Sequence, residues 1–182
     1  MASTFTVEQP KIVGHVLSVP LPTLTGKEGT TQTFTASDIV VMSSGVLVVG
    51  GDTPNADTIV GMPTSAASGT TGAAIQFCPF LPGTIIEANL SHTAGAYVMI
   101  AGDMFAQFGL GYTSSKFYID EDVRSGDAVN WEKLFATVIG FAEGKVTSTG
   151  LRKLSAVGDT DARVRAVVIG SVFTAELGVI AS

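Results

Sequence analysis

The sequence predicts an all-β protein: a single β-sandwich or barrel domain over residues 39–182, preceded by an extended N-terminal arm or edge strand over residues 1–38. Three observations carry that expectation. Hydrophobic residues make up 46% of the 182 and charged ones only 14%, about half the usual share, which suits extensive burial. The apolar residues come in short runs of strand length rather than at helical spacing. Those runs are rich in Val, Ile and Thr and are separated by 21 glycines and 7 prolines, the residues that end strands and make turns. A chain of this length buries most of its apolar surface without needing a disulfide or metal to hold it together.

Residues 1–38 alternate weakly, and Val19-Pro20-Leu21-Pro22 favours an extended, non-helical path. The apolar residues before it have no hairpin partner in sequence, so residues 1–22 are expected to need a neighbour to order them. Ile39 to Met42, Ser43-Ser44-Gly45 and Val46 to Val49 read as strand, turn and strand. Met62 to Gly72 is so rich in small residues that it reads as a loop. Ile75 to Phe80, Thr84 to Leu90 and Tyr97 to Ile100 follow as strands of a meander, with Pro82-Gly83 as a turn. Gly102, Gly109 and Gly111 suggest a bulged strand or a turn, and Lys116 to Ile119 another strand. The one candidate helix is Asp127 to Leu134, with Asp127 as its cap and Trp131 facing inward, although a loop suits the stretch nearly as well. Phe135 to Phe141 is a strand and Gly150 to Asp161 a loop. Arg163-Val164-Arg165-Ala166 begins a half-exposed strand with both arginines on one face.

Composition narrows the function. No apolar run reaches membrane length, because the longest candidate breaks at Ser43-Ser44-Gly45. Met1 to Glu8 shows neither the basic start nor the apolar stretch of a secretion signal, so folding in a cytoplasm is expected. Cys78 stands alone, which excludes an intrachain disulfide, and it reads as a small buried hydrophobe. A net charge of −6 argues against direct nucleic-acid binding, which needs clustered Lys and Arg. Charge is uneven: residues 1–110 carry 9 Asp, Glu, Lys or Arg and residues 111–182 carry 17, so the first part is the more deeply packed or the more engaged with partners.

Residues with catalytic potential do not converge. His15 and His92, the only histidines, have no Cys or acid at zinc-ligand spacing. Ser91, His92 and Asp103 are the three residues from which a nucleophilic relay could be built, yet no nucleophile elbow surrounds them. Asp120-Glu121-Asp122 with Asp127 fails the EF-hand pattern and reads as a solvated loop, with a cation site shared between subunits as the minor reading. Gly102, Gly109 and Gly111 fit neither a phosphate-binding loop nor a dinucleotide fingerprint and read as turn glycines. The sequence therefore predicts no catalytic residue, no metal site and no cofactor.

Four stretches carry a resemblance: Pro82-Gly83-Thr84-Ile85-Ile86-Glu87-Ala88-Asn89-Leu90, Phe117-Tyr118-Ile119-Asp120, Ala136-Thr137-Val138-Ile139-Gly140-Phe141, and Gly158-Asp159-Thr160-Asp161 before a final Val-rich strand. Over residues 75–175 their order and composition are similar to the capsid decoration (cement) proteins of tailed bacteriophages. That resemblance implies an all-β, non-enzymatic virion protein, made in the host cytoplasm, that binds the major capsid protein on the outside of an expanded icosahedral head, often as a homotrimer. An arm suits such a task, since main-chain pairing and side-chain pockets give affinity without a deep cleft. Its anchors would be Phe5, Val7, Ile12, Val13, Val16, Leu17, Val19 and Leu21. Another virion component, such as a head-fibre base or tail subunit, shares the same strand-rich economy. A glycan-binding module is the other alternative, with Tyr97, Tyr112, Tyr118 and Trp131 as its stacking surface.

Overall fold

A computed structural model describes residues 2–92, 95–113, 115–126 and 131–173. It is all-β, as the composition predicts. The strands are β1 (Lys11–His15), β2 (Leu24–Lys27), β3 (Val40–Ser43), β4 (Val46–Val49), β5 (Ile59–Pro63), β6 (Ala74–Pro79), β7 (Thr84–Ser91), β8 (Gln107–Thr113), β9 (Lys116–Arg124), β10 (Ala136–Phe141), β11 (Glu143–Lys145), β12 (Arg152–Leu154) and β13 (Arg163–Val168).

The long strand β7 organises the larger sheet, whose order is β1-β7-β13-β10-β8-β9. Its first half pairs with β1 on one side and β13 on the other, both antiparallel. Its last residues pair in parallel with β9, Leu90 opposite Ile119 and Ser91 opposite Asp120. That pairing closes β7, β13, β10, β8 and β9 into a five-stranded barrel and leaves β1 outside as an edge strand. Closure also explains the alternation along these strands, because every second side chain must fill the lumen. Ile86, Ala88 and Leu90, then Val164, Ala166 and Val168, then Ala136 and Val138, with Phe108, Leu110, Phe117 and Ile119, are all at most 1% exposed. Each large aliphatic or aromatic side chain so buried stabilises the fold by about 1.5–3 kcal/mol before ordering is counted.

The second sheet runs β2-β6-β5-β3-β4, and a bridge from Glu28 to Leu47 ties its last strand back towards its first. Its own cluster holds Phe34, Val40, Leu47, Val60, Ile75 and Phe77. Ile39, Ile59, Met62 and Phe80 instead join the barrel's core cluster, with Phe80 tilted against Phe135 at 5.4 Å between ring centres. The β11–β12 hairpin lies apart from both sheets.

Several details differ from the sequence expectation. Met62 and Pro63 are not loop but the end of β5, fully buried against β6. The loop after them is held by Glu28, which accepts hydrogen bonds from Ser68 N (2.8 Å), Ser68 Oγ (2.8 Å) and Gly69 N (2.7 Å). Tyr97 to Ile100 forms only a single bridge, Val98 to Thr160, because its backbone bonds go to the loop at residues 158–161. Of the two readings for the glycines, Gly109 and Gly111 take the bulged strand, lying in β8 opposite Asp120 and Tyr118 with a bulge between Phe108 and Gly109, and Gly102 takes the turn, in the 3-10 turn Ala101–Asp103. Of the candidate helix, Trp131–Lys133 is a 3-10 turn with Trp131 72% exposed rather than facing inward, and residues 127–130 lie outside the described residues. Within residues 150–161, Arg152 to Leu154 is strand β12.

Candidate attachment surface

Residues 1–38 divide into parts with different partners. The lead over residues 3–10 lies on the barrel and is fastened by side chains that reach its backbone. Asp159 Oδ1 accepts from Ser3 N (2.6 Å), and Thr160 exchanges main-chain bonds with Ser3 and Phe5, so Gly158-Asp159-Thr160-Asp161 serves as a clasp. Asn89 donates to Thr6 O and accepts from Glu8 N. Lys116 donates to Val7 O at 2.7 Å. Arg163 is the largest fastener. Its guanidinium donates to Glu8 O, Gln9 O, Glu87 O and Asn89 Oδ1 at 3.0–3.2 Å. The lead covers it so fully that Arg163 is 2% exposed, although Arg165 on the same face of β13 stays exposed. Burial draws the Arg163 pKa down from its ordinary value, opposed by the charges of Glu8 and Glu87. The sequence offered no signal for this, because the face of a strand is legible from alternation whereas what lies across it is not.

After the buried Pro10, β1 runs beside β7 with a bulge between Ile12 and Gly14. The bulge leaves Val13 unpaired with β7 and 43% exposed, whereas Ile12 packs against the barrel core. The strand ends in a tight knuckle built by His15. Leu17 N donates to His15 Nδ1 at 3.1 Å, so Nδ1 is the acceptor and the proton sits on Nε2, which donates to Pro82 O at 2.8 Å. Val16 N bonds Gly83 O, Ser18 N bonds His15 O, and Ser18 adopts a left-handed φ of 53°. This framework presents Val16 at 52%, Leu17 at 73% and Val19 at 48% exposure.

The eight anchor residues thus separate by role. Phe5 is 2% exposed and belongs to the protein's own interior, with Gly144 providing the room beside its ring. Val7, Ile12 and Leu21 are half-buried. Val13, Val16, Leu17 and Val19 face outwards from an edge strand and its knuckle, where β1 pairs with β7 alone. Four large apolar side chains exposed within seven residues, on a backbone fixed by hydrogen bonds, form a surface suited to a protein partner.

Residues singled out for chemistry go to separate partners. Ser91 donates to Asp161 Oδ1 at 2.7 Å, and His92 Nε2 lies 2.9 Å from Asp122 Oδ1. Asp103, fully buried, accepts from Tyr97 Oη, Ile100 N and Arg124 Nη1. Burial, together with that bond to Asp103, pushes the Tyr97 hydroxyl well above its ordinary pKa. The acidic run is strand rather than loop: Asp120 is buried in β9, and His92, Glu121 and Asp122 place their ligand atoms within 4.8 Å of one another. Burial raises the Glu121 pKa, with Arg124 opposing and Asp103 adding to the rise. The Cys78 thiol is likewise pushed up by burial. The four aromatic residues considered for sugar stacking form no common surface, since Tyr118 is fully buried while Trp131 is exposed. Tyr112 packs on Phe117 at 4.5 Å.

No protein-family model matches the chain, and no curated protein matches it either.

Proposed function

We propose that the chain is an attachment protein of an icosahedral shell, a capsid decoration (cement) protein that binds the major capsid protein on the outside of a bacteriophage head and reinforces it. The observation that carries this reading is the ridge of Val13, Val16, Leu17 and Val19, held outwards on an open-edged strand by the His15 framework. An edge strand offers unpaired main-chain groups, and a fixed apolar ridge beside it offers area to bury, which together make a strand-addition surface. A protein that binds only the assembled lattice stabilises it by linkage, by an amount that grows with free concentration relative to Kd. Purified protein added to bare expanded heads should saturate regular lattice sites and raise the temperature at which the heads release DNA. Leu17→Asp with Val16→Asp should abolish that protection while leaving the isolated protein folded. Heads that melt at the same temperature with and without a saturating layer would overturn the reading.

A further inference from the structure

A cleft of about 410 Å³ opens on the outer face of the barrel, beneath the β11–β12 hairpin, where Lys11, Glu87, Phe141, Arg152, Leu154 and Arg165 meet. Its charge is unlike that of the molecule. The side chains of Lys11, Arg152 and Arg165 are 56%, 54% and 56% exposed and converge here, in a protein whose net charge is −6. The floor carboxylate, Glu87, is 7% exposed and already occupied on both oxygens, Lys11 Nζ at 2.8 Å on one and Arg165 Nε at 3.0 Å on the other. Burial alone would raise the Glu87 pKa, yet the bonds from Lys11 and Arg165 hold it below the usual range, so it is an anion already neutralised. Arg152 reaches Glu8 Oε1 and Glu143 O. Arg163 adds a buried guanidinium bonded to neutral oxygens, so four of the chain's ten Lys and Arg residues gather around this region.

Each exposed cation already meets one of the protein's own acids, Lys11 and Arg165 on Glu87 and Arg152 on Glu8, but none is fully used by it. Arg165 uses Nε on Glu87 and Lys11 uses one of three donors, which leaves N–H groups for a carboxylate arriving from solvent. Leu154, 57% exposed, and the half-buried Phe141 supply an apolar wall beside the cations. Among the charged residues lining the cleft, three cations against Glu87 and Glu143 leave a charge of +1, which Glu8 on Arg152 offsets, so carboxylates spaced along a chain suit the separate donors better than the dense charge of a polyphosphate. Lys11 both lines the cleft and begins β1, so a segment aligned along the open edge reaches it.

We propose that this cleft binds an extended acidic segment of a partner protein, its Asp or Glu carboxylates held by Arg165, Arg152 and Lys11 and a neighbouring apolar side chain lying on Phe141 and Leu154. The inference deepens the attachment reading by naming the chemistry of the partner's segment. The probe is a fluorescent, end-capped Glu-Val-Glu-Phe-Glu peptide titrated with the intact protein and followed by anisotropy. Saturable binding is expected, with loss of binding when the peptide's Glu residues are replaced by Gln. Weakening is also expected as salt rises from about 50 to about 500 mM. Arg165→Gln and Arg152→Gln should each weaken binding about tenfold, since hydrogen bonds to charged groups have that worth. Lys27→Gln, on β2 away from the cleft, should leave it unchanged, and every variant should remain folded at the assay temperature, Arg165→Gln with a lowered thermal midpoint because it leaves Glu87 with Lys11 alone. Absence of saturable binding, equal binding of the Gln peptide, or unchanged affinity in both arginine variants would overturn the inference. Displacement by short duplex DNA at equal concentration would do so as well, as would loss of self-association in place of peptide binding. Failure here with shell binding intact removes the cleft alone, whereas peptide binding by a protein that ignores shells removes the shell.

Discussion

Gly111 faces Tyr118 across the β8–β9 pair, and a Cβ built on it would run into the Tyr118 ring. Tyr118 is fully buried and framed by rigid strands, so neither side can give way easily. Gly111→Ala should therefore destabilise the protein by about 1–3 kcal/mol, read as a lower urea midpoint at unchanged slope. Gly140, where a Cβ would meet nothing within 4 Å, is the control, and its alanine variant should fall within about 0.5 kcal/mol of the parent. Sequence marked the glycines of β8 but not their purpose, because a missing side chain does not announce which ring takes its place. Arg163 was hidden for a related reason. Its alternation with Val164 is that of any half-exposed strand, and only the lead lying across it makes it buried.

Strands whose side chains alternate between the lumen and the outside were legible from sequence: β7, β10, β13 and the first half of β9, up to Ile119, stand where their apolar patterns put them, as does the β3–β4 hairpin. Those without that pattern were not. β5 holds Gly61, which sits against the Cys78 backbone, and ends in Met62 and Pro63, which read as the start of a loop although all five residues are buried. β11 and β12 are three residues each, all exposed except Gly144. The exposure of Val13, Val16, Leu17 and Val19, and the framework that fixes it, likewise depend on a histidine whose role comes from Pro82 and Leu17, not from its neighbours' composition. Two predictions follow at this scale. His15→Ala removes both ring contacts that shape the knuckle, so it should weaken head protection several-fold while the thermal midpoint of the isolated protein barely moves, which head-melting curves beside scanning calorimetry would resolve. Arg163→Met leaves the Glu8, Gln9 and Glu87 carbonyls without their buried donor, which costs about 1–3 kcal/mol for each group left unsatisfied. Amide exchange over residues 3–9 should accelerate markedly more than exchange in β10 and β8.

At the scale of the whole molecule, two carboxylates tie separate parts of the fold together. Glu28 joins the end of β2 to the loop at residues 68–69, and Glu87 joins β7 to Lys11 of β1 and Arg165 of β13. Both have folded pKa values below the ordinary 4.5: burial pushes each upwards, but hydrogen bonds from Ser68 and Gly69 outweigh it for Glu28, and Lys11 and Arg165 do so for Glu87. The sign follows from which state binds protons more readily. Near pH 4.5 the unfolded chain takes up protons at these positions while the folded chain resists, so the stability they contribute is fully present above that pH and declines as pH falls through the lowered folded values. Urea midpoints measured from pH 7 downwards should hold nearly level from these two groups until that range and then drop. Glu28→Gln separates their contributions. Its amide keeps one oxygen for the Ser68 and Gly69 N–H groups but turns an –NH₂ donor towards another, so the variant should be less stable at pH 7 and should lose less on acidification than the parent. An acid limb of the same steepness in parent and variant would show that Glu28 does not carry the linkage.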